Sequence, residues 1–178
     1  MFPALATLAA AAIAFAPNNV AAHTKAHRHS KRFAGASRLE TSLLREINQE
    51  RARHGLRALR WSNRLRRAAD QHSGSMAAKG YFAHESADGS AFWKRIAVFY
   101  SYRGYRQWSV GENLLWSSPS VSPGGALRMW MNSPPHRENL LSRTWRDIGL
   151  SAVHVAHAPG VYRGSEVTIV TADFGVRY

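Results

Sequence analysis

The chain has 178 residues, 45% hydrophobic and 20% charged, which is enough for one domain with a core of its own and too little for two. It contains no cysteine, which excludes disulfides, thiolate nucleophiles and thiolate metal ligands, so packing alone must hold the fold. The net charge is +13, carried by 20 Arg and 4 Lys against 11 acids; such a surface suits anionic polymers or membrane faces and says nothing about fold.

Residues 1–22 carry no charged side chain. An Ala-rich apolar run from Met1 to Ala16 is followed by Pro17-Asn18-Asn19 and the small residues Val20-Ala21-Ala22. That order reads as a signal peptide with His23 as the first mature residue, and so as an extracellular or periplasmic protein. The run is too short to span a bilayer comfortably. Residues 23–37 read as a basic, His-rich linker: His23 to Arg38 holds five Lys or Arg, three His (23, 27 and 29), no acid and one large apolar residue, Phe33. The domain is expected over residues 38–178.

Ser37-Arg38-Leu39-Glu40 fits a capping box, and Leu39, Leu43, Leu44 and Ile47 follow at helical spacing. A first helix is expected over 38–53, stopped by Gly55. Trp61-Ser62-Asn63 leads into a second helix, with Leu65, Ala68, Ala69, His72 and Met76 on one face and Gly80 at its end. His72 on that apolar face reads as a hydrogen-bonded core residue and stays outside the candidate site. Asp88-Gly89 marks a turn, and Ser90 is positioned to cap a short helix that turns Phe92, Ile96 and Phe99 inward. Residues 107–116 read as a strand containing Gly111, which marks a bulge or a close approach. Ser122-Pro123 opens a further helix, buried through Ala126, Leu127 and Trp130 and ended by Ser133-Pro134-Pro135. Asp147–Val155 and Glu166–Phe174 are runs of β-formers separated by Pro159-Gly160 and Gly164, which predicts an antiparallel pair. Helices first and strands late suggest α+β, a sheet covered by helices.

Three separated stretches carry the candidate chemistry: Tyr81 to Gly89, Val110 to Leu114, and Asn132 to Leu141. They offer His84, Glu112 and His136, two imidazoles and a carboxylate, which together can hold a divalent metal or exchange a proton. Glu138, two residues from His136, would point elsewhere along a helix or a strand.

The ordered motifs resemble a known family. Glu46-Ile47-Asn48-Gln49-Glu50-Arg51, Gly55-Leu56, Leu59, Trp61, Ala68-Ala69 with His72-Ser73, and Met76-Ala77 look like the opening of a bacterial CAP domain. This is the superfamily of cysteine-rich secretory proteins, antigen 5 and plant pathogenesis-related proteins. The match runs on through Phe82-Ala83-His84, Asp88-Gly89, Gly111-Glu112-Asn113, Trp130-Met131-Asn132-Ser133, His136-Arg137, Asn139-Leu140-Leu141 and Ile148-Gly149, and closes on Thr171-Ala172-Asp173-Phe174-Gly175. The resemblance implies a three-layer α-β-α sandwich with a mostly antiparallel central sheet and a central cleft. In the family two His and two Glu line that cleft, and several members hold zinc or another divalent cation on the His pair. By position His84 and His136 resemble the His pair and Glu112 the first Glu. The second Glu is missing, with Ser133 in its place, and no cysteine is present.

The expected function follows: a secreted protein, monomeric and non-catalytic, whose cleft of His84, Glu112, Ser133 and His136 binds a divalent metal (on His84 and His136), a lipid or an anionic envelope polymer. Zinc is the first cofactor to consider. Trp93, Phe99, Tyr100, Tyr102, Tyr105 and Trp108 precede Gly111; Phe99 is expected in the core, and the others could wall an apolar groove. The alternative is a hydrolase acting on an envelope component or peptide, metal-assisted or using Ser133 with His136 and Glu112; no Gly-x-Ser-x-Gly or His-Glu-x-x-His motif supports it. No recognition motif accompanies the basic charge, so no nucleic acid is expected.

Overall fold

In the computed structural model, residues 37–178 are described. The signal-peptide and linker readings, with His23, His27 and His29, lie outside them. The elements in chain order are α1 (Arg38–Arg53), β1 (Arg60–Trp61), α2 (Asn63–Lys79), α3 (Phe92–Phe99), β2 (Trp108–Ser117), α4 (Pro123–Met131), α5 (Pro134–Leu141), β3 (Asp147–Val155) and β4 (Val167–Arg177). The strands form one sheet in the order β1-β3-β4-β2. β1 pairs with β3 in parallel, and β3-β4 and β4-β2 are antiparallel. The expected α+β sandwich and its closing antiparallel pair are present.

Alternation along the strands gives each face of the sheet its own helical layer. Leu115, Val170, Ala172, Phe174, Ile148 and Leu150 pack with Leu43, Ile47, Leu127, Trp130 and Leu140 of α1, α4 and α5. On the opposite face, Leu114, Val167 and Ile169 meet Met76 and Ala77 of α2, while Leu65, Ala68, Ile96 and Tyr100 join α2 to α3. Complete burial of a side chain such as Leu43 or Ile47 contributes about 1.5–3 kcal/mol.

The capping box forms as read: Glu40 N–H donates to Ser37 Oγ at 3.2 Å and Ser37 N–H to Glu40 Oε2 at 2.8 Å. The buried Glu40 does more, because its Oε1 also accepts from Ala152 N–H of β3 at 3.0 Å and so ties the start of α1 to the sheet. Ser90 does not cap α3. The N-cap is Ala91, without a side-chain bond, because Ser90 closes the preceding turn instead: its carbonyl accepts from Ser86 N–H and its own N–H donates to Asp88 Oδ1.

Three more expectations are corrected. Pro134 and Pro135 do end α4, but they also open α5, where their missing N–H groups cost nothing. Gly111 marks no bulge, since every residue of β2 has one partner on β4. The approach there is by side chains: a Cβ at Gly111 would lie 2.7 Å from the Asn139 amide and 2.8 Å from the Trp145 ring. Among the aromatics, Tyr100 is the buried one, donating its hydroxyl to Asp147 Oδ2 at 2.8 Å, and Phe99 is only partly buried, with the Arg67 guanidinium over its ring.

Candidate functional site

β2 is an edge strand, and two consecutive residues at its middle point to opposite faces of the sheet. Glu112 shares the α2 and α3 face, and Asn113 shares the α4 and α5 face. The site is built from what each of them holds.

The Glu112 side chain is fully buried. Its Oε1 lies 2.8 Å from His84 Nδ1 and 4.0 Å from His72 Nε2, and its Oε2 accepts from Arg95 Nη2. Arg95 also donates through Nη1 to Ser86 Oγ at 3.1 Å and to the His84 carbonyl at 3.4 Å. The guanidinium thus fixes both the carboxylate and the loop that carries His84. Burial pushes the Glu112 carboxyl up, but the hydrogen bond from His84 and then the charges of Arg95 and His72 outweigh it, leaving the pKa below its ordinary value.

Asn113 donates from Nδ2 to the His136 carbonyl at 2.9 Å. Asn139, one turn along α5, donates to Asn113 Oδ1 at 3.0 Å and to the Glu112 carbonyl at 3.2 Å. Arg51 of α1, itself buried, holds the far end of α5 by donating to the carbonyls of Leu140 at 2.6 Å and Ser142 at 3.0 Å. His136 Nδ1 lies 2.8 Å from Ser133 Oγ, the N-cap residue of α5. With prolines at the first two helical positions, the Ser133 hydroxyl bonds the His136 ring rather than a backbone N–H. Burial first, and the nearness of His84 second, lower the His136 pKa.

His84, Glu112, Ser133 and His136 therefore occupy the β2 edge, but as two pairs. Glu112 bonds His84, and Ser133 bonds His136. Both Glu112 oxygens are engaged elsewhere, so Ser133, His136 and Glu112 do not form a relay. Among the described residues no group of three or more His, Cys, Asp or Glu side chains could hold a metal. What remains open is one nitrogen on each ring. Glu112 accepts, so His84 Nδ1 carries the proton and Nε2 the lone pair. The donor set fits a two-imidazole site completed by water and does not fit a closed one.

Three residues of this cluster were not foreseen as site members. His72 donates from Nε2 to the Ala83 carbonyl at 2.8 Å, as a core histidine should, yet it adjoins Glu112. Burial lowers its pKa to about 4 despite that neighbour. Arg95 lies on the inward stripe of α3 with Phe92, Ile96 and Phe99, at offsets of three and four residues. A lone charge on an apolar stripe was the signal. Asp173 interrupts the β-former run of β4, is completely buried and stands opposite Glu112.

The profile of the CAP family, described as the cysteine-rich secretory protein family, matches residues 44–174. The chain belongs to this family. The uncharacterized protein YkwD of Bacillus subtilis is 31% identical over 121 residues, 67% of this chain and 44% of that protein. The chain thus spans less than half the length of this curated relative. Among solved structures, an extracellular protein of Bacillus anthracis containing an SCP domain is 27% identical with a TM-score of 0.58, over 76% of this chain and 39% of that one. An outer surface protein of Borrelia burgdorferi, 18% identical with a TM-score of 0.57 over 78% of this chain and 92% of its own, shares the fold. Among the described residues no helix is long and apolar enough to cross a membrane.

Proposed function

We propose that this CAP domain is a secreted, monomeric, non-catalytic binding protein whose His84–His136 pair takes up a divalent cation, zinc first, as an exchangeable site completed by water. The observation that carries this reading is the 2.8 Å bond between His84 Nδ1 and Glu112 Oε1. A carboxylate behind an imidazole fixes the tautomer, aims the free nitrogen and raises its basicity, as the partners behind metal-binding histidines do. Bound there, zinc would act as a Lewis acid or as a bridge to a ligand, while Glu112 holds one ring and Ser133 the other.

Calorimetric zinc titration tests it, with His23, His27 and His29 replaced by alanine to silence the linker. Affinity should fade below about pH 6.5, as protonated imidazole cannot ligate. It should fall roughly tenfold or more in Glu112→Gln and vanish in His84→Ala/His136→Ala. Unchanged affinity in the double variant removes the reading.

A second reading concerns the surface. Trp93, Tyr102 and Tyr105 are 40%, 50% and 42% exposed, with Lys94, Arg103 and Arg106 beside them in sequence. Large aromatics with neighbouring cations suit an anionic lipid or envelope polymer. Vesicles with and without anionic lipid, compared at low and high salt, test it; equal, salt-insensitive binding to both removes the electrostatic part.

A further inference from the structure

Six large hydrophobic side chains are exposed among the described residues: Trp93, Val98, Tyr102, Tyr105, Val161 and Tyr178. Single ones scattered over a surface need no explanation, but these are not scattered. Four lie on α3 and the turn after it. Tyr178 joins them, because its N–H and carbonyl pair with the carbonyl and N–H of Gln107 at 3.1 and 2.9 Å. Helical spacing divides α3 in two. Phe92, Arg95, Ile96 and Phe99 face the protein, which leaves Trp93, Lys94, Ala97 and Val98 on the outer face, with Val98 76% exposed. The turn is held in place. The Arg177 guanidinium lies over the Tyr100 and Tyr105 rings, 4.0 and 4.6 Å from their centroids, and donates to the Ser101 carbonyl at 3.0 Å. Tyr102 meets the Trp108 ring edge-on. Residues 89–111 contain no acid, and Lys94, Arg103 and Arg106 are exposed among them.

We propose that the outer face of α3 and the turn after it lie against an anionic phospholipid bilayer. The inference rests on the surface reading above and commits it to lipid. Trp93 and Val98 enter the boundary between headgroups and acyl chains. Tyr102 and Tyr105 stay at headgroup level, as rings with one apolar body and one polar tip do, and Lys94, Arg103 and Arg106 meet the phosphates. A soluble polyanion matches the cations but offers no apolar medium to Val98 and the Trp93 ring. A second copy of the chain, at +13, would repel this one. Because the turn is already ordered, little conformational freedom is lost on contact.

Tryptophan quenching by brominated acyl chains tests it on the full chain, since residues 1–36 contain no Trp and binding through them alone gives no signal. Vesicles of phosphatidylglycerol and brominated phosphatidylcholine should quench a component that Trp93→Phe removes. Brominated phosphatidylcholine alone should quench it at least roughly tenfold more weakly. Val98→Ser should raise the lipid concentration for half-quenching roughly fivefold, and Lys94→Gln/Arg103→Gln/Arg106→Gln roughly tenfold or more. All these side chains are exposed, so melting temperatures should not move, which separates lost contact from lost fold. Vesicle binding without Trp93 quenching, or quenching indifferent to Val98→Ser, overturns the insertion and leaves the electrostatic reading standing. Binding to soluble polyphosphate with none to vesicles has the same meaning. No affinity for either removes both.

Discussion

Glu112 and Asp173 stand directly opposite each other on β2 and β4, two buried carboxyl groups on one face of the sheet. Neither Asp173 oxygen receives a hydrogen bond from an N–H or O–H group. Two carboxyls can bond only if one keeps its proton. Burial, and after it the Glu112 charge, push the Asp173 carboxyl well above its ordinary value, so Asp173 is the protonated member and can donate to Glu112.

That proton has a cost. Above about pH 4 the unfolded chain releases it and the folded one keeps it, so this residue reduces stability as pH rises toward its folded-state pKa. Asp173→Asn should retain a donor toward Glu112 and raise stability at pH 8 by on the order of 1–3 kcal/mol. Urea unfolding of both proteins at pH 8 measures it; a loss instead would mean that the acid itself is needed.

Glu112 runs the other way. Its folded-state pKa is lowered, so its contribution is present above the unfolded value of about 4.3 and disappears as pH falls through the folded one. The contribution depends on Arg95. Arg95→Met should cost about 3–5 kcal/mol at pH 7, because it leaves a buried carboxylate without its guanidinium. Arg95→Met/Glu112→Gln should recover much of that loss, as thermal unfolding of the two variants would reveal.

His72 supplies a separate acid sensitivity. It stays neutral in the fold down to about pH 4, whereas an unfolded histidine protonates near 6.5. Stability should therefore fall by about 2 kcal/mol between pH 7 and pH 5 on this account alone. In His72→Gln that part of the slope should be absent, by urea midpoints at the two pH values.

Gly149, beside Asp173 on β3, is where α2 meets the sheet. A Cβ there would lie 2.0 Å from Arg66 N and 2.2 Å from the Leu65 carbonyl carbon, and backbone cannot rotate aside. Gly149→Ala should cost about 3 kcal/mol or more. Gly111→Ala should cost less, since the Asn139 amide and the Trp145 ring are side chains that can shift. Paired denaturation curves test the ranking.

The amphipathic helices, the β2 hydrogen-bonding strand and the closing antiparallel pair were legible because their patterns are local. Leu43, Leu44 and Ile47, or Ile148 and Leu150, advertise a face through spacing alone. His84, Glu112 and His136 were legible through motif order. Who bonds whom was not. The assignment of Glu112 to His84 and Arg95, and of His136 to Ser133, depends on how three layers stack, which no spacing encodes. α5 was missed for a different reason: with Leu140 its only buried residue, it has no apolar stripe to read. It is held instead by Arg51, Asn113 and Asn139.

The segments that carry the two histidines are tied to neighbouring residues of one strand, the His84 ring through the Glu112 side chain and the His136 backbone carbonyl through that of Asn113. A pleated strand sends consecutive side chains to opposite faces at a fixed rise. The two anchor points are thus one peptide unit apart, and that unit is held along its length by β4. Their offset persists as long as the β2-β4 ladder does, whereas the loop that carries His84 and the start of α5 that carries His136 are free to differ from one such domain to another.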